Sequence, residues 1–136
     1  MNERYIRQIM IPEIGEAGQE KLKNAKVLIV GIGGLGSPIS LYLTAAGVGQ
    51  IGLIDDDIVS KSNLQRQILY TEAEIGQSKV ECACRRLSAL NSSTRFETYP
   101  NRFTPDNANR LVSAYDIIVD GCDNAATRYL IDDVCS

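Results

Sequence analysis

Short apolar runs alternate with amphipathic stretches along most of the chain, a pattern typical of strands that alternate with helices. Four segments are predicted to be strands, namely the apolar runs 27–30, 50–54 and 116–120 and a weaker, more polar strand over 95–100. Helical spacing of apolar side chains predicts three longer helices between them, over 35–46, over 78–90 and from 104 onwards. Residues 1–25 are predicted to be an N-terminal helical segment, with two short helices broken at Pro12 and Gly15.

Individual residues mark where these helices begin and which face they bury. Ser78 and Glu81 have the spacing of a capping box. Thr104 and Pro105 combine a cap residue with a proline at the first helical position. The predicted apolar positions of the first two long helices are Ile39, Tyr42, Leu43 and Ala46, then Val80, Ala83, Cys84, Leu87 and Leu90. Each helix therefore has one face to bury against a sheet.

Alternation of this kind predicts a Rossmann-like α/β fold, with a doubly wound, mainly parallel sheet and helices on both faces. At 136 residues the chain is long enough for one such domain. No glycine cap or closing proline follows the last helical segment near Cys135, so we expect a truncated domain. Ligands bind such sheets at the carboxyl ends of the strands, where the sequence places Gly31–Gly36, Asp55 and Cys122-Asp123-Asn124.

A glycine-rich turn between the first strand and the next helix predicts a phosphate-binding loop. Gly31, Gly33 and Gly36 fit G-x-G-x-x-G, and N–H groups at a helix N-terminus attract anions. Asp55 follows about 20 residues later, the spacing at which a carboxylate meets ribose hydroxyls. Glycines of this spacing also allow close helix packing, an alternative that the strand and helix context disfavours.

Charged residues near this loop favour one nucleotide over others. Asp56 and Asp57 beside Asp55 disfavour the 2′-phosphate of NADP, which leaves NAD and ATP. Arg66 and Lys79 suit a triphosphate, since cations stabilise a transferring phosphoryl group and a departing pyrophosphate. The alternative for both is a solvated surface cation. Asp123 follows the last strand and either caps the next helix or holds Mg²⁺ through oxygen.

Composition excludes several other classes of function. The chain has 14 Lys and Arg against 17 Asp and Glu, a net charge of −3. It has no long basic run, so nonspecific nucleic-acid binding is not expected. No apolar run is long enough for a membrane span, so we predict a cytoplasmic protein. The four cysteines form no C-x-x-C pair and histidine is absent, so we expect buried thiols rather than a zinc site.

A set of motifs in the same order resembles the ThiF/MoeB/HesA adenylyltransferases, which are relatives of ubiquitin-activating enzymes. The resemblance covers nearly the whole chain, and Ser62-Asn63-Leu64-Gln65-Arg66-Gln67 is its most specific part. The other motifs that carry it are Arg4-Tyr5-Ile6-Arg7-Gln8, Gly31-Ile32-Gly33-Gly34-Leu35-Gly36-Ser37-Pro38, Lys79 and Asp120-Gly121-Cys122-Asp123-Asn124. The run Ile54-Asp55-Asp56-Asp57 looks closest to the ThiF branch.

This resemblance implies an ATP-binding, N-terminal part of an adenylation domain that spans 1–136. Such an enzyme activates the C-terminal glycine of a ubiquitin-like sulfur-carrier protein, ThiS or MoaD in type, for thiamine or molybdopterin synthesis. It implies a homodimer and Mg²⁺, with zinc only in a C-terminal part that this chain lacks. The nucleotide contacts implied are Gly31, Gly33, Gly34, Gly36, Asp55, Ser62, Asn63, Leu64, Gln65, Arg66, Lys79, Asp123, Asn124 and Arg7, the last reaching in from the other protomer.

Among these, Arg66, Lys79 and Asp123 are implied to be catalytic, and Asp123 to hold the metal. Two other hypotheses remain at this stage. One is a truncated, noncatalytic module for nucleotide binding or dimerisation. The other is an NAD-dependent oxidoreductase.

Overall fold

The computed structural model describes residues 15–34, 36–65, 67 and 69–121. Its elements are α1 (Gly15–Asn24), β1 (Lys26–Val30), α2 (Gly36–Ala46), β2 (Gln50–Ile54), α3 (Lys79–Leu90), β3 (Arg95–Tyr99), α4 (Pro105–Ser113) and β4 (Ile117–Asp120). Single 3₁₀ turns cover Lys61–Asn63 and Glu72–Glu74. The helices predicted before Gly15 and after Gly121 lie outside the described residues.

The four strands form one parallel sheet in the order β3-β2-β1-β4. The chain moves outward from β1 through β2 to β3, then crosses back to place β4 on the other side of β1. The order of the strands therefore reverses between β1 and β4, and ligands of parallel α/β sheets bind at such a switch point. In register, Val30 lies opposite both Ile54 and Asp120, so three strands end at one edge. The predicted Rossmann-like fold is confirmed.

Two apolar clusters cover the two faces of this sheet. Successive strand residues point to opposite faces, so Leu28 and Ile29 of β1 belong to different clusters and both are fully buried. Helices α2 and α3 pack on the Ile29 face. Helix α4 packs on the other face through Ala108 and Leu111. The central strands are therefore buried on both sides, as a parallel sheet requires.

The capping box predicted at the start of α3 is wrong. Ser78 is the cap residue, but Glu81 does not return to its backbone N–H. The Glu81 carboxylate instead accepts a hydrogen bond from the Thr98 hydroxyl at 3.1 Å, because β3 lies beside α3. The cap predicted for α4 is confirmed, and there the Asn107 side chain accepts from the Thr104 N–H at 2.9 Å.

The apolar stripe predicted for α2 is also wrong in part. Tyr42 is 76% exposed, and the buried positions of α2 are Gly36, Ser37, Ser40 and Thr44. Small side chains let the helix approach the sheet closely, and the Ser40 hydroxyl is satisfied by the Ser37 carbonyl at 2.7 Å. In α3 the prediction holds for Val80, Ala83 and Leu87, whereas Leu90 is exposed.

Two further findings concern the described residues only. Cys82 is buried, as predicted, whereas Cys84 is half-buried, and both are free thiols. Cys122 and Cys135 lie outside the described residues. None of the described helices has both the length and the apolar character needed to cross a lipid bilayer.

Candidate nucleotide-binding site

Three glycines meet where the strand order reverses. Gly31 ends β1 with a φ of 92°, and its N–H donates to the Ile54 carbonyl at 2.9 Å. A Cβ at Gly36 would overlap the Gly31 carbonyl oxygen, and one at Gly121 would lie 2.6 Å from the same oxygen. The start of α2 therefore packs against the ends of β1 and β4 with no room for side chains.

The next peptide of the loop, at Ile32, is held on both sides by side chains from elsewhere. Its N–H donates to Asp55 Oδ2 at 2.8 Å, and its carbonyl accepts from the Tyr70 hydroxyl at 2.7 Å. The other Asp55 oxygen, Oδ1, accepts from the Asp57 N–H at 2.8 Å. Asp55 thus joins the loop after β1 to the loop after β2 before any ligand is bound.

Gly33 and Gly34 have a different environment from the other glycines. A Cβ at Gly33 would lie 3.5 Å from Gln67 Nε2, an ordinary contact, and Gly34 is exposed. No strain of the protein itself therefore requires a glycine at position 33. An open backbone at the start of a helix is the feature that a phosphate needs.

Gln67 is a buried polar residue beside this loop. Only 4% of it is exposed, and its Oε1 has no hydrogen-bond partner within the described part of the chain. Buried polar atoms are almost always paired, so the unpaired Oε1 of Gln67 needs an explanation.

Ser62, Asn63, Leu64 and Gln65 lie in the turn that leads to Gln67. Asn63 Nδ2 donates to Ser60 Oγ at 2.8 Å, and Ser62 and Gln65 are exposed. Leu64 packs against the apolar cluster on the Ile29 face of the sheet. The side chain of Leu64 therefore packs toward the core and does not extend to a ligand as a polar residue would.

Lys79 opens α3 at the same edge of the sheet. Its side chain is 4% exposed, and its Nζ lies 3.6 Å from Asp57 Oδ2. Its backbone N–H also donates to the Asp57 carbonyl at 3.1 Å. A nearly buried ammonium with one exposed carboxylate as an ion-pair partner can exchange that partner for an incoming anion.

Carboxylate oxygens of Asp55, Asp56 and Asp57 lie within 4.8 Å of one another. Both oxygens of Asp55 accept backbone hydrogen bonds, Asp56 pairs with Arg102 at 3.7 Å, and Asp57 pairs with Lys79. Each of these three carboxylates thus already has a partner within the protein, and two of those partners are cations.

Among the predicted site residues, the structure links the glycine loop directly to Asp55 and, through Asp57, to Lys79. The turn that begins at Ser62 reaches this loop at Gln67, which lies beside Gly33. The remaining predicted site residues, Arg7, Arg66, Asp123 and Asn124, lie outside the described residues. Two buried residues did not stand out in the sequence, Gln67 and Tyr70. Gln67 is the last residue of the polar motif that begins at Ser62, and this position in the motif is the sequence feature that points to it. Tyr70 follows Leu69 and resembles an ordinary core residue.

A glycine loop at the switch point of a parallel, doubly covered sheet defines this chain as a Rossmann-like α/β domain of the nucleotide-binding type. Comparison with known families shows which family within this class the chain belongs to. Residues 5–136 match the ThiF family, and the chain belongs to that family.

Curated relatives include two adenylyltransferases by name. The chain is 50% identical over 131 residues to the sulfur carrier protein adenylyltransferase of Thermus thermophilus, a match that covers 96% of this chain and 48% of the relative. It is 50% identical over 130 residues to the probable adenylyltransferase/sulfurtransferase MoeZ of Mycobacterium tuberculosis. That match covers 96% of this chain and 33% of the relative. The chain thus spans half or less of the length of these relatives.

Solved structures with bound ATP share the fold. The E. coli tRNA N6-threonylcarbamoyladenosine dehydratase TcdA in complex with ATP gives a TM-score of 0.92 at 29% identity, over 98% of this chain and 54% of that one. E. coli MccB with ATP gives a TM-score of 0.82 at 35% identity, over 93% of this chain and 39% of MccB. Both similarities extend over nearly all of this chain.

Proposed function

We propose that this chain is the ATP-binding part of an enzyme that adenylates the C-terminal carboxylate of a ubiquitin-like sulfur-carrier protein. The observation that carries the proposal is that the nearly buried Lys79 is bonded to Asp57, which is joined through Asp55 to the glycine loop after β1. Relatives at 50% identity are named as adenylyltransferases, and neighbours of the same fold bind ATP.

In the proposed complex the phosphates of ATP lie against the backbone of Gly33 and Gly34, at the N-terminus of α2. Asp55 accepts hydrogen bonds from the ribose. Each of its oxygens accepts one backbone N–H and keeps a lone pair for a hydroxyl group. Lys79 leaves Asp57 for a phosphate oxygen, which keeps its charge paired throughout.

The reaction proposed is a displacement at the α-phosphorus. A carboxylate oxygen of the carrier forms a bond to that phosphorus, and the bond to the bridging oxygen of the β-phosphate breaks. The products are an acyl-adenylate and pyrophosphate, which takes the electron pair of the broken bond. The chain supplies no nucleophile, because the carrier brings its own. Its part is to position ATP and to stabilise the negative charge of pyrophosphate.

Residues outside the described part complete the proposal. We assign Arg66 to the phosphates, where the described Asn63 joins it. We assign Asp123 to Mg²⁺ and Asn124 to the nucleotide. Arg7 is assigned to the neighbouring site of a homodimer. An aspartate oxygen is a suitable ligand for Mg²⁺, which neutralises phosphate charge when bound. The carrier is proposed to be of the ThiS or MoaD type, and the enzyme to act in the cytoplasm.

The test is carrier-dependent exchange of radiolabelled pyrophosphate into ATP by the full-length protein. We expect exchange with a ThiS-type or MoaD-type carrier, and none when the C-terminal glycine of the carrier is deleted. ATP binding without exchange for any such carrier would instead support a noncatalytic nucleotide-binding module. Binding of NADH in preference to ATP would support the oxidoreductase and overturn the proposal.

A further inference from the structure

We infer that Tyr70 is a positioning residue for the nucleotide. Its hydroxyl turns the Ile32 carbonyl away from the bound phosphates, so that the loop presents N–H groups to them. The inference rests on the proposed ATP site, and it assigns a role to a residue outside the predicted set of nucleotide contacts.

The first support is the geometry at Ile32. The residue is fully buried, and its peptide groups are held by two side chains from separate parts of the chain. Asp55 accepts from the N–H at 2.8 Å, and Tyr70 donates to the carbonyl at 2.7 Å. These two bonds fix the direction of the chain as it enters Gly33 and Gly34.

The second support is the lack of an adequate substitute donor. Ser37 Oγ also approaches the Ile32 carbonyl, but at 3.5 Å, the outer limit of a hydrogen bond. Without Tyr70 the carbonyl would be left with this weak partner in the protein interior. Rotation of the peptide toward solvent would restore its hydration, but it would direct an acceptor oxygen at the site proposed for phosphate.

The third support is that Tyr70 is itself held in place and stays a donor. Only 5% of the residue is exposed, and it packs in the apolar cluster on the Ile29 face. Burial raises the pKa of the Tyr70 phenol above its ordinary value, and the negative charge of Asp55 raises it further. The hydroxyl therefore keeps its proton at every physiological pH.

The test is Tyr70→Phe in the full-length protein, which removes one oxygen atom and keeps the ring. Tyr115→Phe is the matched control. Tyr115 is 7% exposed and its hydroxyl bonds to Tyr99 at 2.9 Å, on the opposite face of the sheet. Both variants lose a buried phenol hydroxyl, but only one of them lies at the loop.

We expect Tyr70→Phe to raise the Kd for ATP by about 5-fold, the effect of one ordinary hydrogen bond. The KM for ATP should rise similarly, while kcat at saturating ATP changes less than about 2-fold, since positioning of the loop acts on nucleotide binding. Tyr115→Phe should leave Kd and KM unchanged. Ser37→Ala should shift Kd in the same direction as Tyr70→Phe but by less, because its bond to the carbonyl is longer.

The outcomes separate this inference from the proposed function. Wild-type protein that binds no ATP overturns both. Wild-type protein that binds ATP, with equal affinity in Tyr70→Phe, overturns the role of Tyr70 alone. Equal losses of affinity in the Tyr70 and Tyr115 variants also overturn it, since that result indicates general destabilisation. If Tyr70→Phe does not fold, 4-fluorophenylalanine at position 70 replaces it, because the fluorine fills the space of the hydroxyl without a proton to donate. Wild-type ATP affinity in that variant overturns the role of Tyr70.

Discussion

Asp55 Oδ2 accepts the N–H of Ile32 at 2.8 Å, which ties the end of β2 to the glycine loop after β1. Because Oδ1 accepts a second backbone N–H, from Asp57, the carboxylate is fixed in orientation by the protein alone. A ligand hydroxyl would therefore meet an acceptor that is already positioned, which lowers the entropy cost of binding. Asp55 has two separable roles, one in the fold of the loops and one in the proposed ribose contact.

Asp55→Asn should reveal both roles. An amide has one acceptor oxygen, so one of the two backbone N–H groups loses its partner, which costs about 1–3 kcal/mol of unfolding free energy. If Asp55 also holds the ribose, the variant should discriminate less between ATP and 3′-deoxy-ATP than the wild type does. Calorimetric titration with both nucleotides checks this. Asp56→Asn is the control, since Asp56 forms an exposed ion pair with Arg102 at 3.7 Å. An unchanged preference in Asp55→Asn would remove the ribose assignment.

Two glycines of the loop should respond in opposite ways to the same substitution. Gly36→Ala places a Cβ on the Gly31 carbonyl oxygen, which is backbone and has no room to move, so we expect loss of the folded state. Gly33→Ala places its Cβ 3.5 Å from the Gln67 side chain, so the protein should fold with little change in thermal stability. It should nevertheless bind ATP at least about 10-fold more weakly, because the methyl group occupies the proposed phosphate position.

The result for Gly33→Ala separates packing from binding. A folded variant with weakened ATP binding supports a phosphate site at the open backbone of Gly33 and Gly34. A folded variant with wild-type affinity places the phosphates elsewhere. Thermal denaturation and equilibrium binding on the same preparations supply both measurements.

Much of the fold follows from the sequence because its signals are local. Buried strands such as Val27–Val30 appear as short apolar runs, and Thr104-Pro105 marks a helix start through backbone chemistry. The face of α2 could not be predicted this way. Its buried side consists of small residues and hydroxyl residues, and the larger Tyr42 is exposed. The hydroxyl of Ser40 on that side bonds within the helix, to the Ser37 carbonyl. Apolar periodicity cannot indicate a face that is buried for its small size.

The parts of the candidate site that were predictable are those in which residue type and spacing along the chain indicate the role. A glycine loop after a strand and an aspartate about 20 residues later are recognisable from spacing. The tyrosine that holds Ile32 was not predictable, because Tyr70 comes 38 positions later and only the folded chain places its hydroxyl at the loop. The spacing motif also could not distinguish Gly33 from Gly36. A Cβ at Gly36 would overlap a backbone oxygen, whereas one at Gly33 would make an ordinary contact with a side chain, and only the folded chain shows this.

Lys79→Met should abolish most pyrophosphate exchange and leave the fold intact. Methionine retains the apolar stem and fills the buried space, and the Asp57 side chain left behind is 71% exposed and returns to water. Removing a positioned charged donor costs about 10²–10³ in rate by analogy with other charge-stabilising sites. We expect a loss of similar size for Arg66→Ala.

Asp57→Asn is the control for Lys79, because it removes the ion pair at 3.6 Å while the ammonium stays. We expect exchange within about 3-fold of wild type, since in the proposed ATP complex Lys79 pairs with a phosphate oxygen and no longer with Asp57. Near wild-type exchange in Lys79→Met would contradict the phosphate role, and equal losses in both variants would assign the effect to the ion pair.

Gln67→Leu should weaken ATP binding without destabilising the protein. Gln67 Oε1 is buried and unpaired in the described part of the chain, so its removal relieves an unsatisfied acceptor. A polar group retained at such a cost, beside Gly33, is explained if a bound nucleotide or its water supplies the partner. Thr44→Val is the matched control, because Thr44 Oγ1 is the other buried unpaired atom among the described residues. We expect unchanged or higher unfolding midpoints in both variants and reduced ATP affinity in Gln67→Leu alone.

Alkaline pH should destabilise the protein through two tyrosines. Burial raises the pKa of Tyr70 and of Tyr115 above the ordinary tyrosine value near 10, with Asp55 adding to the shift at Tyr70 and the bond to Tyr99 adding at Tyr115. The folded state thus holds these protons more tightly than the unfolded state. Their contribution is complete below pH 10, the unfolded value, and is lost as the pH rises above it.

Above pH 10 each of the two groups should lower the unfolding free energy by up to about 1.4 kcal/mol per pH unit. Urea unfolding between pH 8 and pH 11 measures this slope, and the double variant Tyr70→Phe/Tyr115→Phe should flatten it. Tyr42→Phe serves as the control, because Tyr42 is 76% exposed in the folded protein and loses little contact with water. A double variant with the same slope as wild type would show that other groups cause the alkaline loss of stability.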